Sequence, residues 1–280
     1  MSKKLNFVFF GTPDVASETL QILKESSYLP SLIITSPDKP QGRKMIVSPP
    51  PVKIWAIENR IPYIQPKTLT KEEVGNVLRN NIPDFFLVVA YGKIIDEDIL
   101  NMPKFGSINI HYSLLPKYRG ASPVESAILN GDTVTGVSIQ KMKFKMDSGP
   151  IIAQEKVEIF PNEKASELRT RLIKIGGELL IKILPEFIAG KIHEAKQDES
   201  QATFCKKIKK EDGLIDLNGN AIKNYNKFRA YATWPRTFFF KNGKRIIITD
   251  VALENGKFMI KKVLPEGKKE IKWEEFNTSK

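Results

Sequence analysis

Apolar runs of strand length alternate with helix-like segments through the first two thirds of this 280-residue chain. The run over 85–90 is apolar at every position, which is typical of a central strand buried on both faces of a parallel sheet. A helix between consecutive strands is the βαβ arrangement, whose right-handed crossovers build a doubly wound sheet. The sequence therefore predicts an α/β fold. The predicted strands cover 5–10, 32–35, 63–64, 85–90, 107–111, 134–142 and 151–159, and the predicted helices cover 14–25, 52–59, 71–80, 122–130 and 166–189.

A mostly polar segment from 191 to 203 interrupts this alternation. It has no apolar periodicity, which favours a linker between two domains. We therefore predict a large α/β domain over 1–190, a linker over 191–205 and a basic, β-rich domain over 206–280.

Short strands alternate with turns in the C-terminal part. Asn242-Gly243 and Asn255-Gly256 are both Asn-Gly pairs, and this pair favours the tight turn of a β-hairpin. The C-terminal part is therefore predicted to be a small β-rich domain. A predicted helix over 218–232 precedes predicted strands over 237–240, 245–251 and 258–263.

Positive charge is concentrated in the C-terminal quarter. The chain holds 44 Lys and Arg against 32 Asp and Glu, and residues 205–280 hold 18 of the former against 9 of the latter. This distribution is typical of a protein that binds nucleic acid or another polyanion, and equally typical of a solvated, lysine-rich surface. The densest group, which we call the lysine cluster, is Lys206, Lys207, Lys209 and Lys210.

Composition excludes several classes of protein. A single cysteine, Cys205, rules out an intramolecular disulfide, and no residues have the spacing of a metal site. No apolar run approaches the ~20 residues of a membrane-spanning helix, and the run near the N-terminus is too short for a signal peptide. We therefore expect a cytoplasmic protein that binds neither a membrane nor a metal. We also expect a monomer, although composition does not determine the oligomeric state.

Three polar residues around the predicted strand over 107–111 suggest an active site. Asn109 and His111 are two residues apart, so in a strand they point to the same face, and Asp147 lies in the turn over 145–150. An amide can hold a developing oxyanion, an imidazole can exchange protons near neutral pH, and a carboxylate can orient that imidazole. The three residues fit acyl transfer, and they also fit a capped strand end followed by an ordinary Asp-Ser-Gly-Pro turn.

A basic loop over 38–53 is a second candidate site. It carries Arg43 and Lys44 next to Gly42, before a run of three prolines. A basic loop with a glycine hinge can become ordered on a nucleic acid. On these residues alone, a solvated surface loop is the better interpretation.

The segment N-I-H-Y-S-L-L-P-K-Y-R-G-A-S-P (109–123) resembles the signature of the folate-dependent formyltransferase superfamily. Further segments are similar to its methionyl-tRNA formyltransferase family, and the resemblance extends from residue 7 to about residue 236. The loop over 37–53 is the part that points to this family within the superfamily. The further segments are F-F-G-T-P-D-V-A (9–16), P-D-K-P-Q-G-R-K (37–44), P-P-P-V-K (49–53), V-V-A-Y-G-K-I-I (88–95), K-I-K-K-E-D-G-L-I-D (207–216) and W-P-R (234–236).

The resemblance implies a fold, a reaction and a set of site residues. The implied fold is a Rossmann-like formyltransferase domain followed by an OB-like barrel, which we expect to be truncated because only 44 residues follow Arg236. The implied reaction, which belongs to translation initiation, transfers the formyl group of 10-formyltetrahydrofolate to the α-amino group of methionyl-initiator tRNA. The implied catalytic residues are Asn109, His111 and Asp147; the implied folate-binding residues are Ser113, Leu114, Leu115 and Pro116, with Tyr91 and Gly92 nearby; and tRNA binding is expected of Arg43, Lys44 and the lysine cluster.

Three other functions stay open at this point. A related enzyme could formylate an amino sugar nucleotide, or could hydrolyse formyltetrahydrofolate with water in place of the amine. A non-catalytic RNA-binding protein could also retain the fold. The intact Asn109, His111 and Asp147 argue against the RNA-binding protein, and the basic loop argues against the sugar enzyme.

Overall fold

The computed structural model describes residues 5–42, 45–78 and 81–278. The strands are β1 (Phe7–Gly11), β2 (Leu32–Ile34), β3 (Lys39–Gln41), β4 (Ile46–Ser48), β5 (Tyr63–Ile64), β6 (Phe85–Val89), β7 (Ser107–His111), β8 (Arg119–Gly120), β9 (Val134–Lys141), β10 (Ile151–Glu158), β11 (Phe204–Cys205), β12 (Phe238–Lys241), β13 (Lys244–Glu254), β14 (Lys257–Pro265) and β15 (Ile271–Lys272). The helices are α1 (Asp14–Glu25), α2 (Pro51–Glu58), α3 (Lys71–Leu78), α4 (Glu97–Leu100), α5 (Pro123–Leu129), α6 (Ala165–Ile188), α7 (Ala221–Ala230) and α8 (Trp273–Thr278).

A seven-stranded sheet with the order β10-β9-β7-β6-β1-β2-β5 forms the larger part of the fold. Five neighbouring strands run parallel to one another, namely β5, β2, β1, β6 and β7, whereas β9 pairs antiparallel with β7. The predicted α/β fold with a doubly wound sheet is confirmed. Strand–helix alternation predicts parallel neighbours, and β9 departs from it by adding an antiparallel strand next to β7.

The centre of the sheet is packed from both sides. Every residue of β1 and β6 is buried, and the rings of Phe7 and Phe85 stack with centroids 5.1 Å apart. From α1, Leu20 and Leu23 are fully buried. Close-packed interiors resist deformation, so these strands form a rigid base for the loops at their ends.

Most predicted elements are present, and the missed ones are short. The bounds of α1, β5 and β7 agree with the prediction, and the other predicted elements differ by a few residues at their ends. The prediction lacks the hairpin of β3 and β4, the short strands β8, β11 and β15, and the helices α4 and α8. β3 is Lys-Pro-Gln and β4 is Ile-Val-Ser, and three residues are too few for a hydrophobic period to be read.

Contacts divide the chain into two compact units that interleave along the sequence. One contains Met1–Lys117, Val137–Glu155 and Leu172–Ala202, and the other contains Tyr118–Gly136, Lys156–Arg171 and Thr203–Lys280. The domain boundaries drawn from the sequence at 190 and 205 stay predictions. Within the described ranges, no helix is both long and apolar enough to cross a membrane.

The C-terminal residues form a four-stranded antiparallel sheet in the order β12-β13-β14-β15. Both Asn-Gly pairs form hairpin turns with positive φ at each residue, 52° and 74° at Asn242-Gly243 and 50° and 73° at Asn255-Gly256. Two central residues with positive φ match the twist of the flanking strands. The predicted small β-rich domain is confirmed.

Candidate active site

Strand β7 carries the first two candidate catalytic residues. Its register against β9 places Asn109 opposite Gln140 and His111 opposite Ser138. As alternate residues of one strand, Asn109 and His111 share a face of the sheet. Asn109 is half-buried, and His111 is 6% exposed. The strand therefore presents an amide and an imidazole side by side.

The Asn109 amide is oriented by two neighbouring strands. Its Nδ2 donates to the carbonyl oxygen of Val88 on β6 at 2.9 Å. Its Oδ1 accepts from Gln140 Nε2 at 3.4 Å, a weak contact. An amide nitrogen has two hydrogens, so the bond to Val88 engages one of them. The side chain is therefore held as a donor with a fixed direction.

Asp147 reaches His111 from the loop between β9 and β10. Asp147 Oδ2 lies 3.8 Å from His111 Nδ1, which is too long for a hydrogen bond and close enough for a charge interaction. Asp147 Oδ1 accepts from Gln140 Nε2 at 2.9 Å. The structure thus brings together the three predicted catalytic side chains, although Asp147 follows His111 by 36 positions in the chain.

The turn that carries Asp147 has an unusual backbone. Asp147 has φ of +49°, in the left-handed region that Asp tolerates better than most residues. Two residues later, a Cβ on Gly149 would lie 1.6 Å from the carbonyl oxygen of Lys141, so only glycine fits there. The carboxylate therefore lies on a tight turn pressed against the end of β9.

Gln197 holds this turn from a segment distant in sequence. Gln197 is 5% exposed, and its Nε2 donates to the carbonyl oxygens of Gly149 at 2.7 Å and Asp147 at 2.9 Å. A longer contact of 3.4 Å joins the same nitrogen to Gln140 Oε1. The two short bonds fix the backbone on both sides of Ser148.

The loop after β7, predicted to bind folate, is held by its backbone. The fully buried Ser138 hydroxyl donates to the carbonyl oxygen of Ser113 at 2.6 Å and accepts from the amide of Leu115 at 3.0 Å. Gln154 Nε2 donates to the carbonyl oxygen of Leu115 at 2.8 Å. Leu114 and Pro116 remain half-buried. This loop therefore offers apolar side chains on a rigid support.

Tyr91 and Gly92 follow the neighbouring strand β6. The Tyr91 ring is 2% exposed and packs edge-on against Phe10, and its carbonyl oxygen accepts from Thr12 Oγ1 at 2.9 Å. Burial, together with the charge of Glu73, raises the pKa of Tyr91 to about 12. Its phenol therefore stays protonated at neutral pH and contributes packing.

Of the residues predicted to bind tRNA, the structure describes the lysine cluster only. Arg43 and Lys44 lie outside the described residues. The residues that follow them in the sequence, Met45, Ile46 and Val47, are 66%, 61% and 64% exposed. All four side chains of the lysine cluster are exposed, and they belong to the second unit.

The base of the β3–β4 hairpin is fixed by an ion pair. Lys53 Nζ lies 2.7 Å from Asp38 Oδ2, and Gln65 Nε2 donates to Asp38 Oδ1 at 2.7 Å. The hydrogen bonds from Lys53 and then Gln65 lower the pKa of Asp38. Lys53, which the sequence shows only as one more basic residue of the loop, is therefore a structural partner of Asp38.

Sequence reasoning missed the residues that support the site. Ser138 and Gln140 are polar residues at alternate positions of β9, a signal that they share one face. Gln197 carries no such signal, because it lies in the polar run that predicts a linker. Over the part of the chain that the structure describes, no group of His, Cys, Asp and Glu could hold a metal ion.

Comparisons with known proteins find relatives of this chain over most of its length. Residues 3–184 match the formyl transferase family, and residues 207–259 match the formyl transferase C-terminal domain. The methionyl-tRNA formyltransferase of Chloroflexus aggregans is 42% identical over 249 residues, which covers 89% of this chain and 81% of that protein. The methionyl-tRNA formyltransferase of Thermotoga maritima is 42% identical over 231 residues, with 82% of this chain and 74% of that protein covered.

Solved structures show the same fold at lower identity. The methionyl-tRNA formyltransferase from Clostridium thermocellum aligns with a TM-score of 0.62 at 19% identity, over 93% of this chain and 98% of that chain. An N-formyltransferase from Helicobacter canadensis, in complex with folinic acid and dTDP-3-aminofucose, aligns with a TM-score of 0.66 at 19% identity, over 89% of each chain.

Proposed function

Because the chain belongs to the formyl transferase family, and within it to the methionyl-tRNA formyltransferases, we propose that Asn109, His111 and Asp147 are its catalytic residues. The reaction is the folate-dependent transfer of a formyl group to the amino group of methionyl-tRNA. One observation carries the assignment of these residues: Asp147 Oδ2 lies 3.8 Å from Nδ1 of His111, and His111 shares β7 with Asn109.

Each of the three side chains has a role that its position supports. The neutral amine of the methionyl group attacks the formyl carbon, and the carbonyl electrons move onto the oxygen. Asn109 Nδ2 and protonated His111 stabilise that oxyanion, which is a large catalytic effect in a site shielded from water. Asp147 orients the imidazole and receives the proton that the amine loses. The bond from carbon to the folate nitrogen then breaks, and that nitrogen takes up a proton.

The donor that we infer is 10-formyltetrahydrofolate. The loop of Ser113, Leu114, Leu115 and Pro116 begins immediately after His111, so a folate bound there would have its formyl group near the catalytic face. Ser138 and Gln154 hold the backbone of the loop, and the apolar side chains Leu114 and Pro116 suit contact with flat rings. Tyr91 and Gly92 follow the adjacent strand and would close the same region from β6.

The acceptor that we infer is methionyl-initiator tRNA. The side chains of the lysine cluster are exposed and can reach phosphates, and the chain as a whole carries a net charge of +12. The loop with Arg43 and Lys44 adds a second basic segment, next to exposed apolar side chains from 45 to 47. Both features favour a nucleic acid over an amino sugar nucleotide.

An acceptor assay tests the proposal directly. With 10-formyltetrahydrofolate as the donor, the purified protein is offered charged initiator tRNA or dTDP-linked amino sugars. We expect transfer to the tRNA only, and loss of that transfer in His111→Ala. Transfer to the sugar nucleotide alone would replace the proposed acceptor, and wild-type turnover by His111→Ala would remove the catalytic assignment.

A further inference from the structure

We propose that Gln197 is a positioning residue for catalysis, which acts by holding the turn that carries Asp147. This inference rests on the proposed catalytic role of Asp147. The two short hydrogen bonds of Gln197 go to the backbone of Asp147 and Gly149.

The hydrogen bonds of Gln197 are arranged to fix one short piece of backbone. An amide nitrogen has two hydrogens, and both are accounted for by the carbonyl oxygens of Gly149 at 2.7 Å and Asp147 at 2.9 Å. Because Gln197 is buried, water does not replace these bonds cheaply when the side chain is removed. The two carbonyls on either side of Ser148 therefore depend on one side chain.

Apolar packing contributes little to holding this loop in place. Between β9 and Asp147, the apolar side chains Phe144 and Met146 are 59% and 63% exposed, so they contribute little packing. Asp147 itself has φ of +49°, a conformation that the surrounding contacts must maintain. A turn with few apolar contacts and an uncommon backbone geometry depends on hydrogen bonds for its support, and Gln197 supplies two of them.

The segment around Gln197 is itself well anchored. Ala195 and Ile151 exchange two backbone hydrogen bonds of 2.8 Å. Two glutamates near Gln197 form ion pairs. Glu194 pairs with Lys141, the last residue of β9, at 2.5 Å, and Glu199 pairs with Lys145, in the loop after β9, at 3.2 Å. These contacts tie the segment to both sides of the Asp147 turn, so Gln197 is presented from a fixed position.

Gln140 extends the arrangement to the side chains. Its Nε2 donates to Asp147 Oδ1 at 2.9 Å, while its Oε1 lies 3.4 Å from Gln197 Nε2. The backbone of Asp147 is thus set by Gln197, and its carboxylate is set by Gln140. Because the His111–Asp147 separation is already 3.8 Å, any outward movement of the turn weakens that interaction further.

The test compares Gln197→Met with the wild type in single-turnover formyl transfer. Methionine keeps the volume of the side chain and lacks both hydrogen-bond donors. A displacement of about 1 Å at a reacting group can cost about 10²-fold in rate, so we expect a fall of about 10- to 100-fold in the transfer rate with little change in KM for the folate. Gln201→Ala, an exposed glutamine four positions later, is the matched control and should behave as wild type.

A double-mutant cycle separates positioning from a general structural role. If Gln197 acts through Asp147, then Gln197→Met should cost less than about threefold in an Asp147→Asn background, because the group that it positions is already gone. The same fold-loss in both backgrounds, or no loss in the wild-type background, would overturn the inference. Should Gln197→Met fail to fold, Gln197→Asn serves in the same cycle, since it keeps an amide that is one methylene too short to reach both carbonyls.

The cycle also distinguishes this inference from the proposed function. Wild-type transfer by Asp147→Asn would remove the catalytic assignment of Asp147, and with it the premise for Gln197. A strongly impaired Asp147→Asn together with an unimpaired Gln197→Met would leave the catalytic assignment intact and reject the positioning role alone.

Discussion

Replacing Asn109 by alanine is the sharpest test of how the site stabilises charge. Asn109 Nδ2 gives one hydrogen to the carbonyl oxygen of Val88 at 2.9 Å, and its Oδ1 accepts only a weak contact from Gln140. We assign its second hydrogen to the oxyanion of the tetrahedral intermediate. Asn109→Ala should therefore remove one oxyanion donor, which is worth about 10²–10³ in kcat, or about 2.7–4 kcal/mol of transition-state stabilisation.

The effect of Asn109→Ala on stability should be much smaller than its effect on rate. The Val88 carbonyl loses one hydrogen bond, which is worth about 1 kcal/mol, and half-exposure at this position lets water replace part of it. We therefore expect a fall of only a few degrees in Tm. KM for folate and for tRNA should change little, because the lost interaction forms in the transition state.

Single-turnover formyl transfer and thermal unfolding, measured on the same preparations, provide the assay. Asn101→Ala is the control, since Asn101 is an exposed asparagine at the end of α4. An Asn109→Ala protein with kcat within about threefold of wild type would refute the oxyanion role, because a lost donor costs far more than that. A rise in KM at constant kcat would instead identify Asn109 as a substrate-binding residue.

Three further predictions concern charged residues. Asp147→Asn should lose most of the formyl transfer, because it removes the carboxylate that orients His111 and receives the proton of the amine; a normal single-turnover rate would make Asp147 a turn residue only. Replacing the lysine cluster by alanines should weaken tRNA binding and reduce the slope of log binding constant against log salt concentration by roughly one unit per lost phosphate contact, while the rate at saturating tRNA stays unchanged. The measurement is Kd for tRNA across a salt series, and a slope equal to that of wild type would show that these lysines are solvated surface residues. Because Lys53 and Gln65 lower the pKa of Asp38, the carboxylate adds stability above its unfolded pKa and loses that contribution as the pH falls through the folded pKa. Asp38→Asn should therefore lower Tm at pH 7 and match wild type in acid, and equal Tm values at pH 7 would contradict this.

Local sequence patterns are enough to predict the sheet and the shared face of two of the three catalytic residues. Continuous apolar runs identify β1 and β6, and the two-residue spacing of Asn109 and His111 predicts their shared face because a strand has a period of two. Asp147 can be proposed from its carboxylate and its place in the next turn, but an ordinary turn fits those residues as well, since nothing local says that this turn reaches β7. That approach is set by the antiparallel pairing of β9 with β7, which strand–helix alternation does not predict.

Gln197, which supports the active site, could not be predicted from the sequence, for a different reason. Gln197 lies in a run of polar residues whose composition is that of a linker, and its burial results from contacts with residues about 50 positions earlier. Hydrophobic patterning reports which side chains leave water for an apolar core, and it has no signal for a polar side chain buried by hydrogen bonds. The hairpin of β3 and β4 is not predicted either, because each strand has only three residues.

The distance in sequence between Gln197 and the turn that it holds affects the order of events during synthesis. The ribosome delivers the chain from its N-terminus, so the strands from β1 to β10 emerge before residue 197 does. A nascent chain at that stage contains every strand of the seven-stranded sheet, and it does not yet contain Gln197, which holds the turn that carries Asp147. Of the two side chains described above that position Asp147, Gln197 is therefore the one whose hydrogen bonds the emerging chain makes later.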